Sequence, residues 1–111
     1  MKTLIVDDEP IARRVLREEL ELLPDVAVVG EAADGREALQ QIAKLEPDLV
    51  FLDLRMPVMG GLEVVRSLEG RSLPVVVIVT AFDQHAIQAF EAGAIDYLLK
   101  PIRHERLEKA V

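Results

Sequence analysis

Five short, nearly unbroken apolar runs recur along this chain, and the stretches between them carry apolar residues at helical spacing. That alternation leaves few folds open. The runs are Leu4-Ile5-Val6, Val26-Ala27-Val28-Val29, Leu49-Val50-Phe51-Leu52, Val75-Val76-Val77-Ile78-Val79 and Ile95-Asp96-Tyr97-Leu98-Leu99. Solid rather than alternating hydrophobicity fits strands covered on both faces, as in a parallel sheet. Between the first two runs, Pro10–Leu23 places Ile11, Val15, Leu16, Leu20 and Leu23 on one helical face. Pro10 falls in the first turn, where a missing N–H is harmless, Asp8 suits the cap, and Pro24 stops the helix. The pattern returns over Arg36–Leu45, Leu62–Leu68, Gln84–Ala92 and Ile102–Val111, with Asp34-Gly35, Gly60-Gly61 and Asp83 as turns or caps. Gly93 closes the fourth helix.

A strand–helix unit repeated in this way predicts an α/β fold, a parallel sheet with helices on both faces. Of the doubly wound orders, five strands favour the flavodoxin-like (βα)5 arrangement, a five-stranded parallel sheet in the order 2-1-3-4-5. Its ligand crevice lies at the carboxyl ends of strands 1 and 3. At 111 residues the chain makes one domain, 1–111. It is long enough to bury roughly two-thirds of its unfolded surface. The absence of cysteine excludes disulfides, thiolate metal sites and a thiol nucleophile. A net charge of −7 argues against direct nucleic-acid contact by this domain and suits a cation or a basic partner. No apolar run approaches the ~20 residues of a membrane span. Asp7 comes too early for a signal peptide, so a cytoplasmic location is expected.

The polar residues fall where this topology gives them meaning. Asp7-Asp8 ends the first strand, Asp53 the third, Thr80 the fourth and Lys100 the fifth, just before Pro101. The expected strand order carries all of them to one rim of the sheet. Carboxylates gathered so closely repel, and something positive has to offset them. Lys100 supplies one charge. A hard divalent cation, Mg²⁺ or Mn²⁺, would supply more through carboxylate oxygens. A metal, an ammonium and a hydroxyl around a carboxylate are parts for phosphoryl transfer. Asp53, alone at the end of the central strand, is the best nucleophile; Asp7 and Asp8 are better placed as metal ligands, and Thr80 to hydrogen-bond a phosphoryl oxygen.

Plainer roles exist for each residue. Asp8 alone is an ordinary helix cap, Thr80 an ordinary strand end, and Lys100 a side chain that snorkels at a sheet edge. Asp7 beside Asp8, and Pro101 after Lys100, tip these positions toward function. His85 and His104 stand isolated and read as solvated. Gly60-Gly61 is a turn, since G-x-x-x-x-G-K-[ST] is absent. Arg13, Arg14, Arg17, Glu18, Glu19 and Glu21 read mostly as the wet face of the first helix.

Taken in order, Val6-Asp7-Asp8-Glu9-Pro10, Asp48-Leu49-Val50-Phe51-Leu52-Asp53-Leu54-Arg55-Met56-Pro57-Val58-Met59-Gly60-Gly61, Thr80-Ala81 and Lys100-Pro101 resemble the receiver domain of two-component response regulators over essentially the whole chain. The resemblance implies that Asp53 accepts a phosphoryl group from a phosphohistidine on a sensor histidine kinase. It implies Mg²⁺ held by Asp8, Asp53 and the backbone carbonyl of Arg55, with Asp7 acting through water. It implies a cis Lys100–Pro101 bond, the kind of bond in which cis is accessible. By the same resemblance, Thr80 and Tyr97 form the switch, and Arg55 and Phe82 tune the aspartyl-phosphate lifetime. The switched surface would be the fourth helix, fifth strand and fifth helix, with a homodimer or release of the output domain as the outcome. Enzymatic activity of its own would be at most weak self-phosphorylation and self-dephosphorylation. Part of the first helix around Ile11 and Val15 would dock the kinase. The segment from Ala86 to Pro101 is similar to receivers carrying a LytTR-type DNA-binding output domain, and the short fifth helix suggests a chain cut near the linker to it.

Three other functions fit less well. An aspartate-nucleophile phosphatase wants an acid two residues beyond the nucleophile, where Arg55 stands. A flavin or nucleotide carrier wants a Ser/Thr/Gly-rich loop where Asp8-Glu9-Pro10 stands. A receiver-like interaction module that is never phosphorylated would not need the full acidic set.

Overall fold

A computed structural model describes residues 1–81, 93, 94, 96–100 and 102–111, with the backbone alone at 97 and 99. Its elements are β1 (Lys2–Val6), α1 (Pro10–Glu21), β2 (Ala27–Ala32), α2 (Gly35–Leu45), β3 (Leu49–Leu52), α3 (Gly61–Ser67), β4 (Val75–Thr80), β5 (Asp96–Leu99) and a C-terminal helix (His104–Ala110). The strands pair in parallel in the order β2-β1-β3-β4-β5. Register runs straight across the middle: Ile5 lies opposite Phe51, and Phe51 opposite Val77. The helix expected over Gln84–Ala92, Phe82, the Tyr97 side chain and the cis bond at Pro101 lie outside the described residues.

The solid apolar runs are explained by two cores. Successive strand residues point to opposite faces. Leu4, Val6, Val50, Leu52, Val76 and Ile78 pack with Ala38 and Ile42 of α2 and Val64 and Val65 of α3. Ile5, Leu49, Phe51, Val77 and Val79 pack on the other side with Leu16 and Leu20 of α1 and Leu107 of the C-terminal helix. No face of the central strands meets water, and apart from Thr3, whose buried hydroxyl donates to the Met1 carbonyl at 3.4 Å, their buried residues are apolar until the strands end. That is why the first polar residues after β1 and β3 and the last of β4 collect at one rim.

Local chemistry sets the helix limits. The α2 cap is Asp34, whose Oδ1 accepts from the Glu37 amide at 2.8 Å. Expectation and structure part at α1. Its N-cap position is Glu9, with no side-chain capping bond, and Pro10 follows. The capping role assigned to Asp8 is therefore corrected. Asp8 lies one residue too early, and the loop is held through Asp7 instead: its Oδ1 accepts from the Glu9 amide at 3.0 Å. Strand β2 also runs to Ala32, past its apolar run, because Gly30, Glu31 and Ala32 pair with Leu4, Ile5 and Val6. His104, read as solvated, is only partly so. Its Nδ1 lies 2.7 Å from Glu19 on α1 and its Nε2 2.7 Å from Glu108. The bond to Glu19 holds its imidazole above the usual range.

One glycine is required by close approach. The Gly61 amide donates to the Leu54 carbonyl at 3.0 Å, and a Cβ at this residue would sit 2.1 Å from the Asp53 carbonyl oxygen. The loop after β3 folds back on itself only with hydrogen at that position. Gly61→Ala is expected to lower the unfolding free energy by about 1–3 kcal/mol in urea titration, as overpacking does. Wild-type stability in that variant would show that the loop yields without penalty.

Candidate functional site

The carboxyl ends of β1 and β3 are adjacent, and their backbones fix the acidic loops. The Asp53 amide donates to the Val6 carbonyl at 3.0 Å, and the Asp7 amide to Ala32 at 3.0 Å. Past β5, the Lys100 amide donates to the Thr80 carbonyl at 2.9 Å. These bonds lead four chain segments to one rim. There the Lys100 ammonium lies 2.7 Å from Asp7 Oδ2, 3.2 Å from Asp53 Oδ2 and 3.3 Å from Glu9 Oε1. Asp7 and Asp53 are each only 5% exposed, and Thr80 is buried as well. Asp53 Oδ1 accepts from the Arg55 amide at 3.2 Å.

Asp7, Asp8, Glu9 and Asp53 each present a carboxylate oxygen within 4.8 Å of the others. An all-oxygen donor set this tight suits a hard divalent cation. The predicted residues Asp7, Asp8, Asp53 and Lys100 are brought together, with Thr80 buried at the end of the neighbouring strand β4. Two participants were not assigned to the pocket from the sequence, and for Arg13, expected on the wet face of the first helix, that reading is corrected, its side chain being only 19% exposed. Glu9 is exposed but salt-bridged to Lys100, and its adjacency to Asp7-Asp8 was the signal for it. Arg13 donates from Nη1 to the Asp7 carbonyl at 2.6 Å and from Nε to Glu31 at 2.9 Å. Its helical spacing gave no hint of a role, because its partners lie on other elements. Beside the rim, a cavity of about 210 Å³ is lined by Ala12, Val15, Leu16, Val79 and Ile102 and bounded by Asp7 and Lys100.

Comparison with known proteins identifies relatives along the full length. The family profile described as "Response regulator receiver domain" matches residues 3–111. The transcriptional regulatory protein BtsR of Salmonella typhi is 51% identical over 111 residues, covering 100% of this chain and 46% of that protein. BtsR of Escherichia coli (strain K12) is 50% identical over the same span, again 46% of its length. The chain thus spans about half the length of these relatives. Among solved structures, the response regulatory domain of mrkE from Klebsiella pneumoniae matches with a TM-score of 0.90 at 32% identity, covering 98% of this chain and 90% of that one. The response regulator domain of Thermotoga maritima CheB matches with a TM-score of 0.88 at 31% identity, covering 98% and 92%.

The pocket's electrostatics follow from its burial. Desolvation pushes the Asp53 carboxyl above its ordinary value, with the Asp7 charge adding to the effect, while Lys100 and the Arg55 amide pull it back. Burial alone would lower the Lys100 ammonium; its bond to Asp7 and the charge of Asp53 overcome this and hold it above the usual lysine range. Because the fold favours protonated Asp53, stability from that group grows as pH falls through the window between its raised and ordinary values. The Lys100 contribution is present below the ordinary lysine range and is lost as the pH rises beyond it. An NMR titration of the Asp53 carboxyl is expected to show a midpoint above that of an ordinary aspartate, and Lys100→Met should raise it further. A midpoint at or below the ordinary value would contradict this balance.

Proposed function

This chain belongs to the response regulator receiver domain family, and from that membership we propose that it is a switch operated by phosphorylation of Asp53. It is the receiver domain of a two-component response regulator. The observation that carries the proposal is the Lys100 ammonium held between Asp7 and Asp53, beside the Glu9 and Asp8 carboxylates. The fold reading is a (βα)5 receiver domain over 1–111 with a short fifth helix, a fourth helix being expected from the sequence over Gln84–Ala92.

The donor is a phosphohistidine on a sensor histidine kinase. An Asp53 oxygen attacks phosphorus, the P–N bond breaks, and the Asp53–phosphorus bond forms. The residues that would hold Mg²⁺, or Mn²⁺ in its place, are Asp8, Asp53 and the Arg55 backbone carbonyl, with Asp7 acting through water. When bound, the cation neutralises charge on the equatorial oxygens of the transferring group. Lys100 exchanges its bond to Asp53 for one to a phosphoryl oxygen, and a cis bond at Pro101 would aim its ammonium. The Thr80 hydroxyl binds another oxygen. The apolar cavity beside Asp7, with exposed Ile11 and Val15 on α1, suits docking of the kinase. Arg55, two residues after Asp53, and Phe82, two after Thr80 in the sequence, would tune how fast water attacks the aspartyl phosphate. Self-phosphorylation and self-dephosphorylation would be the only reactions of its own.

Phosphorylation exchanges one carboxylate charge for a larger, more negative group. Thr80 moves toward it and Tyr97 turns inward, biasing a two-state surface around the fourth helix, β5 and the C-terminal helix. The outcome is a homodimer and a signal to a C-terminal output domain. BtsR proteins are named transcriptional regulators, which favours a DNA-binding output, and the LytTR type fits the segment from Ala86 to Pro101. Among the described residues no helix is long and apolar enough to cross a membrane. The working location is the cytoplasm, with no direct nucleic-acid contact by this domain.

Treating the chain with acetyl phosphate or BeF₃⁻, with and without Mg²⁺, tests the proposal. Mass spectrometry should show a single-phosphoryl mass gain with acetyl phosphate that needs Mg²⁺ and vanishes in Asp53→Asn. Sedimentation should show a matching shift to dimer. Thr80→Ala is expected to keep the phosphoryl group and lose the dimer. Mass gain persisting in Asp53→Asn, or multiple-turnover phosphate release from unrelated monoesters, would overturn the assignment.

A further inference from the structure

We propose that Arg13 is a positioning residue for the acidic pocket, braced on Glu31 and fixing the backbone from which Asp7 and Asp8 project. The inference rests on reading that pocket as a divalent-cation site. It starts from how α1 begins. Pro10 has no N–H, Glu9 makes no side-chain cap, and Asp8 does not cap either. Helix entry is left without the usual local bonds. Arg13, a full turn further on, serves none of the free amides but holds the entering backbone by its other polar group: its Nη1 donates to the Asp7 carbonyl at 2.6 Å.

The same guanidinium is pinned from the other side. Its Nε donates to Glu31 Oε1 at 2.9 Å, and Arg17 Nη1 donates to Glu31 Oε2 at 2.5 Å. Glu31 sits on the edge strand β2, opposite Ile5 of β1, so the bracing side chain springs from backbone paired into the sheet. Arg13 is mostly buried, at 19% side-chain exposure. A planar fork with donors in fixed directions orients a carbonyl and a carboxylate relative to each other; an ammonium on a flexible stem carries the charge without that pre-organised geometry.

The peptide plane makes this matter to the site. The Asp7 carbonyl belongs to the planar unit that also carries the Asp8 nitrogen. With the Asp7 amide on Ala32, its Oδ1 on the Glu9 amide and its carbonyl on Arg13, the residue is held at three points before Lys100 reaches its Oδ2. Arg13 thereby fixes the direction in which Asp8 leaves the strand end.

Position and charge predict opposite signs. A guanidinium next to an acidic pocket repels a divalent cation, so if Arg13 acted by charge alone, its removal would tighten metal binding. If it acts by position, removal weakens binding, and partners behind metal ligands typically matter by 10–100-fold. The test is Mn²⁺ titration of the chain followed by electron paramagnetic resonance, with Mg²⁺ competition and circular dichroism on each variant. Arg13→Ala should weaken Mn²⁺ binding by about tenfold. Arg13→Lys, which keeps the charge and loses the fork, and Glu31→Gln, which loses the brace's charge, should each weaken it measurably. Arg14→Ala, which removes an exposed guanidinium of the same helix, should leave it near wild type. Wild-type or tighter binding in Arg13→Ala overturns the inference while the cation site stands. If Arg13→Ala fails to fold, wild-type binding in both Arg13→Lys and Glu31→Gln overturns it. A wild-type chain that binds no Mn²⁺ removes the cation site itself, and the inference with it.

Discussion

The ion triad of Lys100 with Asp7 and Asp53 is the interaction on which the site depends. Two carboxylates, each 5% exposed, share one ammonium at 2.7 and 3.2 Å. Burying like charges side by side is unfavourable unless an opposite charge and hydrogen bonds offset it. Lys100 provides the charge, and the Glu9 and Arg55 amides provide bonds to the two carboxylates. The offset is incomplete: the fold still favours the protonated form of Asp53. A pocket left electrostatically short of satisfaction is one that an added cation would stabilise.

The sheet makes this pocket without any single element being unusual. Hydrophobic residues on both faces commit the central strands to the interior, so chemistry can appear only where the strands stop. The order β2-β1-β3-β4-β5 sets β1 beside β3 and β4 beside β5. Asp7 and Asp53 become neighbours although 46 positions apart, and Lys100 meets them from the far side of β4. The tight loop after β3, allowed by Gly61 against the Asp53 carbonyl, then brings the start of α3 against Asp53.

How much of this was legible in the sequence follows from what each residue responds to. Leu4 through Val6, Leu49 through Leu52 and Val75 through Val79 answer to burial, which is local in its pattern, so strands and their carboxyl-end residues could be read directly. Asp53 and Lys100 stood out because a charge that follows directly on a buried strand has few structural reasons to be there. Asp8 was misread as a cap because capping preference is a property of residue type, whereas the bond that forms depends on where the helix starts, one residue later. β2 outran its apolar run because pairing with β1 recruited Gly30 and Glu31. Arg13 was misread as part of a wet helix face because its ion pair with Glu31, between a helix and a strand edge, leaves no periodic trace.

The central claim is that carboxylates from the ends of β1 and β3 form one cation site next to Asp53. Anomalous diffraction from crystals grown with Mn²⁺ measures it directly. The account predicts a single strong peak bounded by the carboxylates of Asp8 and Asp53 and the Arg55 carbonyl, with Lys100 still at the rim. Crystals in which Mn²⁺ is absent from that rim at saturating concentration, with Asp8 turned into solvent, would contradict it.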